Sequence, residues 1–198
     1  MDSTARTVIV VGILVAGCVL YFSQAQDAKS ASANPPALVD SSGGSTNLTG
    51  FPAKFDHHLV DLQDGQMKAF DASTLKDVKY FAFYYSASWC PPCRAFTPKL
   101  VDFYKEFKPK HPNFELIFVN HDQSEDKMLA YMTGDSMTWP AVRFDDIEKV
   151  QGNQYCGRGI PDLVLVDAGG TVLSDSFNGY QYLGPYKVID DIKRMVTP

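Results

Sequence analysis

Lys79-Tyr80-Phe81-Ala82-Phe83-Tyr84-Tyr85, followed shortly by Trp89-Cys90-Pro91-Pro92-Cys93-Arg94, is the stretch whose reading decides the fold. The first run is apolar almost throughout and reads as a buried strand. Beyond the cysteines, Phe96, Leu100, Phe103, Tyr104 and Phe107 recur at the spacing of one helix face. The two thiols therefore fall where a strand hands over to a helix. Free amides and the positive end of the macrodipole favour a thiolate at Cys90 in that position. A cysteine so placed titrates well below its free value of ~8.5 and is a nucleophile at neutral pH. Cys93, one helical turn on, is close enough to attack a mixed disulfide formed at Cys90.

Three other readings of the pair compete. A structural bridge over two intervening residues would constrain almost nothing in the unfolded chain. A zinc site needs about four ligands, and no second Cys pair or spaced Cys/His pair exists to complete one. An inert buried pair is at odds with a helix start. Redox chemistry at the thiols themselves, with no metal and no cofactor, is the expectation.

Tyr85-Ser86-Ala87-Ser88-Trp89-Cys90-Pro91-Pro92-Cys93-Arg94 with Phe96-Thr97-Pro98 resembles the active-site segment of tryparedoxins and nucleoredoxins. These belong to the thioredoxin-like superfamily, which also holds the TlpA-type envelope thioredoxins. Met137-Thr138-Trp139-Pro140-Ala141-Val142 is similar to the tryparedoxin Trp-x-Ala-Val segment. Gly157-Arg158-Gly159-Ile160-Pro161, followed by Leu163 to Asp167, resembles the superfamily's cis-proline loop and next strand. The resemblance spans residues 51–198. It implies an α/β fold, a thioredoxin-like mixed sheet with helices on both faces and an N-terminal β-hairpin extension. It also implies a cis Ile160–Pro161 bond facing the cysteines, with Trp89, Pro91, Pro92, Ile160 and Pro161 forming the substrate-binding surface. Trp89 would shield one side of the sulfur, and backbone groups at Ile160 would pair with an extended substrate segment.

Two positions depart from thioredoxin. Its buried carboxylate six residues before the first cysteine is replaced here by Tyr84, so Cys93 needs another proton acceptor or water. The residue after the proline, usually Thr, is Asp162. A negative charge there would disfavour a Cys90 thiolate, or would select cationic or polar partners, depending on where the carboxylate points.

The chain has 198 residues, 45% of them hydrophobic, enough for one globular core with appendages. A net charge of −5 without a basic cluster argues against nucleic-acid partners. Four cysteines in a chain this long do not make a disulfide scaffold. Residues 1–26 read as a signal peptide or membrane anchor, because Thr7 to Phe22 is apolar and near the short limit of a membrane helix, ~17–25 residues. Retention as an anchor, cleavage after Ala25 and lipidation at Cys18 are the three fates considered. Each places the domain on the non-cytoplasmic, periplasmic side. Residues 27–50, rich in Ser, Ala, Gly and Pro, read as a flexible linker, in which Asn47-Leu48-Thr49 fits a glycosylation acceptor. Residues 51–198 read as the thioredoxin-like domain.

Within it, Leu59 to Leu62, the Asp64-Gly65 turn and Met67 to Phe70 read as a hairpin. His57 and His58 beside it read as ordinary polar residues. The active-site helix is expected to reach Lys108 with a kink at Pro98. Phe114 to Asn120 reads as a strand, and Ser124 as the cap of a helix from Glu125 to Met132, leaving His121-Asp122-Gln123 as turn and cap chemistry. A second hairpin spans Ile160 to Leu173. A closing helix starts near Pro185 and buries Val188, Ile189, Ile192, Met195 and Val196. Cys156 reads as a bystander; the alternative is a third redox thiol.

The expected function is a thiol–disulfide oxidoreductase of the cell envelope that reduces protein disulfides through Cys90 and Cys93. Its partners would be protein disulfide substrates, a thiol electron donor and, through the N-terminal segment, a membrane. A non-catalytic binding module and a thiol-dependent peroxidase are the alternatives, the latter lacking a Thr-x-x-Cys motif.

Overall fold

The structure is a computed structural model that describes residues 48–197. The expectations for residues 1–26 and 27–47, the fates of Cys18 included, lie outside the described residues.

The apolar run before the cysteines forms β3 (Tyr80–Ser86), which pairs in parallel with β4 (Phe114–Asn120) and antiparallel with β6 (Asp162–Asp167). All three strands are buried over nearly their whole length, which is why they read as continuous apolar runs rather than alternating ones. β1 (Leu59–Gln63), β2 (Gln66–Ala69), β5 (Ala141–Val142) and β7 (Val172–Asp175) complete a seven-stranded mixed sheet of order β2-β1-β5-β4-β3-β6-β7. The β1–β2 hairpin turns at Asp64 (φ 53°) and Gly65 (φ 74°), the positive-φ pair of a two-residue turn matched to sheet twist. A short separate hairpin, β8 (Phe177–Asn178) and β9 (Gln181–Tyr182), follows β7.

The strand pleat divides the core in two. Ala82, Tyr84, Leu116, Phe118, Leu163 and Leu165 point to one face, where α1 (Pro91–Phe107), α2 (Glu125–Gly134) and α3 (Pro185–Met195) bury Leu100, Met132 and Ile192 against them. Phe81, Phe83, Tyr85, Ile117, Val119 and Val164 point to the other face. There the cover supplied by the described residues is not α-helical. 3₁₀ turns at Phe51–Phe55 and Ala72–Leu75 supply Phe55 and Leu75, and Ile147 and Val150 close the rest. Helical segments thus cover both faces, but α1, α2 and α3 share one.

α1 runs on through Pro98, which lies on its exposed side. One local expectation changes. Met195, expected in the core, is exposed at 41%. The chain leaves α3 in an extended conformation at Val196, and it is Val196 that turns back into the core.

Candidate active site

β3 ends at Ser86, and the tight passage Ala87-Ser88-Trp89 delivers Cys90 to the N-cap of α1. Pro91 and Pro92 occupy the first helical positions, where a missing N–H costs nothing because that donor has no helical partner. Cys90 and Cys93 are joined in a disulfide with Cα atoms 5.2 Å apart. The Cys93 N–H points at Cys90 Sγ from 3.3 Å. That amide is the donor that would stabilise a Cys90 thiolate once the bridge opens. Cys93 is fully buried, and Cys90 keeps a 3% opening to solvent.

The loop before β6 faces the disulfide. Ile160–Pro161 is a cis peptide bond, and the Ile160 carbonyl oxygen lies 3.6 Å from Cys90 Sγ. Ile160 packs against Ala87, Cys90 and Cys93. Trp89 is 55% exposed beside the cysteines, held by its indole N–H to the His121 carbonyl at 3.2 Å, so it is a surface residue and not a core one. Pro91 and Pro92 are exposed at the helix start. The structure therefore brings Trp89, Cys90, Pro91, Pro92, Cys93, Ile160 and Pro161 to one end of the sheet.

Beneath Cys93 sits a set of buried hydroxyls. Thr97 Oγ1 donates to the Cys93 carbonyl at 2.9 Å and is within 2.8 Å of Tyr84 Oη and 2.6 Å of Tyr131 Oη; Tyr131 Oη is in turn 2.9 Å from Ser86 Oγ. Burial raises the pKa of both tyrosines, so this network is neutral and gives Cys93 no carboxylate base.

Three features of the site were not readable in the sequence. Asp122 clamps the approach to the cysteines, accepting from the Ser88 N–H at 3.0 Å and the Ser88 hydroxyl at 2.7 Å. By sequence it reads as turn chemistry, and its position at the C-terminal end of β4 is the signal that points to a site. The Tyr182 hydroxyl donates to the Pro161 carbonyl at 2.8 Å, tying the β8–β9 hairpin to the proline loop. Asp162 points inward. Its carboxylate is fully buried and accepts from the Gly157 N–H at 2.7 Å, so it cannot select cationic or polar partners at the surface.

Cys156 is partly buried, with Sγ 3.9 Å from His121 Nε2. Burial, with Asp162 and Asp175 nearby, pushes its thiol up to about 11, and burial lowers the pKa of His121. A protonated thiol beside a neutral imidazole is a poor nucleophile, which favours the bystander reading. His57 is largely exposed, and His58 pairs with Asp146 at 2.9 Å.

A disulfide at the N-terminus of the helix that follows the central strand, opposed by a cis-proline loop, defines a thioredoxin-like redox site. Comparison with known proteins agrees. A family profile described as thioredoxin-like matches residues 77–172. Nucleoredoxin of Danio rerio is 38% identical over 104 residues, 52% of this chain and 24% of that protein. Tryparedoxin of Trypanosoma brucei brucei is 38% identical over 87 residues, 43% of this chain and 58% of that one. The solved structure of tryparedoxin II from C. fasciculata superposes with a TM-score of 0.53 at 34% identity, covering 65% of this chain and 87% of the other. The chain belongs to the thioredoxin-like family. Its matched region spans about a quarter of the length of the curated nucleoredoxins.

Proposed function

We propose that the protein is a thiol–disulfide oxidoreductase that reduces protein disulfides, with Cys90 as nucleophile and Cys93 as resolving thiol. The observation that carries this reading is the Cys93 amide aimed at Cys90 Sγ, at the solvent-facing end of an otherwise buried disulfide. In the reduced protein the Cys90 thiolate attacks one sulfur of a substrate disulfide and expels the other as thiolate, forming a mixed disulfide. Cys93 loses its proton and attacks Cys90 Sγ, which releases the second substrate thiol and leaves the Cys90–Cys93 bridge. A thiol electron donor then returns the bridge to the dithiol. Trp89, Pro91, Pro92 and the Ile160–Pro161 loop form the rim that a substrate segment meets.

The apolar run from Thr7 to Phe22 supports export or membrane anchoring, with the domain on the non-cytoplasmic side. Recovery of the full-length protein as a soluble cytoplasmic species on fractionation would exclude it. A peroxidase has no support in the motifs, and a binding module would not need both thiols.

Non-reducing electrophoresis after acid quenching tests the chemistry. Cys93→Ser should accumulate covalent complexes with protein substrates that dissolve on reduction, whereas Cys90→Ser should form none. Equal trapping by the two variants overturns the assignment of roles. Trapping by neither, together with no acceleration of insulin reduction by dithiothreitol, favours the binding module.

A further inference from the structure

The residue after the cis-proline carries a charge-bearing group with nowhere to put its charge. Asp162 is fully buried at the start of β6. One carboxylate oxygen accepts from the Gly157 N–H, and the other, Oδ1, has no hydrogen-bond partner among the described residues. Ser176 Oγ is near, but it already accepts from the Leu163 N–H at 2.8 Å and donates to the Leu163 carbonyl at 2.9 Å. The backbone is shaped around the carboxylate: a Cβ at Gly157 would fall 3.0 Å from Asp162 Oδ2 and 2.4 Å from the Phe177 ring.

Among the described residues, the groups that face it offer no countercharge. They are the Tyr85 hydroxyl from β3, the Cys156 thiol from the preceding loop, the Asp175 carboxylate from β7 and the Tyr182 hydroxyl from β9. Arg158, in the same loop, stacks its guanidinium on the Tyr180 ring at 3.8 Å instead. A half-satisfied buried carboxylate is costly, and such groups concentrate where chemistry is done. From the other side Ile160 touches both the cysteine cluster and the core around Asp162, and its carbonyl meets Cys90 Sγ.

We propose that Asp162 is a proton-linked positioning residue of the Cys90–Cys93 couple, taking up a proton when the bridge is reduced and releasing it when the bridge forms. This rests on the oxidoreductase reading of the same site. Reduction of the bridge by a dithiol consumes two electrons and two protons; where Cys90 is left as a thiolate, one of those protons is free to go elsewhere. The new negative charge at Cys90 disfavours a second one at Asp162, so the carboxylate accepts a proton. Burial, with Asp175 adding to it, already lifts Asp162 to about 6 while the bridge is intact, so the exchange falls in a range where small shifts matter. Position 84, where thioredoxin carries its buried acid, is a tyrosine here, and Asp162 lies on the other face of the sheet, level with Tyr85.

The test is the equilibrium of the intact protein with a dithiothreitol redox buffer, followed from pH 5 to pH 8 for the natural chain and for Asp162→Asn. The two should coincide near pH 5, where Asp162 is protonated. As pH rises, the Asn variant should become the more readily reduced, by about threefold to tenfold in equilibrium constant at pH 7.5, as expected for the removal of one charge that interacts with a thiolate. Parallel curves at all pH overturn the proposal while leaving the oxidoreductase reading intact. A chain that fails to exchange at all overturns both. If Asp162→Asn does not fold, carbon-13 titration of the Asp162 carboxyl in the natural protein decides: its midpoint should move upward on reduction, and an unmoved midpoint refutes the link.

Discussion

Asp162 at the disulfide end of β6 and Asp191 in the middle of α3 are both withdrawn from solvent, yet their carboxyls titrate in opposite directions. For Asp162, burial dominates and lifts the pKa to about 6. For Asp191, burial also pulls upward, but Lys187, Ser174 and Arg194 together outweigh it and hold the carboxyl at about 2. The partners make the difference. Asp191 accepts from Ser174 Oγ at 2.6 Å and from Lys187 Nζ at 2.8 Å, with Arg194 on its other oxygen. Asp162 has one amide and, among the described residues, an orphaned oxygen. Withdrawal from water sets the penalty and the partners decide whether it is offset. The carboxyl on α3 has partners on both oxygens; the one beside the proline loop does not.

The buried hydroxyls beneath Cys93 are the neutral control for this contrast, and they carry the largest expected effect. Thr97→Val keeps the shape of the side chain but removes the hub, leaving the Tyr84 hydroxyl and the Cys93 carbonyl without that partner. A loss of about 2–4 kcal/mol in unfolding free energy is expected, since each stranded buried group costs about 1–3 kcal/mol. Urea melts at pH 5 and pH 7.5 should give the same loss. A loss that changed with pH would mean that the network carries charge, and the contrast between the two flanks of the disulfide would fail.

Asp162→Asn should come next, and with a sign opposite to most core substitutions. The folded pKa is raised above the unfolded ~3.9, so the carboxyl is no burden below pH 4 and becomes one as pH rises through about 6. Two pKa units correspond to about 3 kcal/mol. Relative to the natural chain, Asp162→Asn should therefore gain about 2–3 kcal/mol of stability between pH 4 and pH 7.5. Denaturant melts across that range that showed no relative gain would mean that Oδ1 is satisfied in solution.

Much of this frame could be seen from the sequence, for local reasons. Strand β4 runs over the same residues, Phe114–Asn120, that the apolar pattern marks, and Asp64-Gly65 turns the hairpin as its chemistry demands. Ser124 caps α2 by accepting from the Lys127 N–H. The cysteines sit where strand passes to helix because periodicity changes there. What stayed hidden depends on contacts distant in sequence. The Asp122 grip on Ser88 spans 34 residues, and no pattern within either segment announces it. An aspartate after a proline reads as a surface residue by composition, and only the pairing of β6 with β3, which sets Asp162 opposite Tyr85, turns it inward. Val196 is buried as its spacing suggests, but Met195 is not, because the helix ends between them, a one-residue matter that helical spacing does not resolve.

Asp191 supplies the smallest effect and the sharpest check of direction. Its folded pKa of about 2 lies below the unfolded ~3.9, so its stabilisation is present above pH 4 and is lost as pH falls towards 2. The shift alone would suggest nearly 3 kcal/mol, but the Lys187 and Arg194 side chains are 41% and 76% exposed, and water screens them. A contribution of about 1–2 kcal/mol is the expectation. Asp191→Asn should thus cost about that much at pH 7 and nothing near pH 2, the reverse of the slope expected for Asp162→Asn. Half-molar salt should shrink the Asp191 effect, because its partners reach solvent, and leave the Asp162 effect nearly unchanged, because its penalty is desolvation. If both variants responded to salt alike, the two carboxyls would share one origin for their shifts, and the contrast between a paired and an unpaired buried acid would not hold.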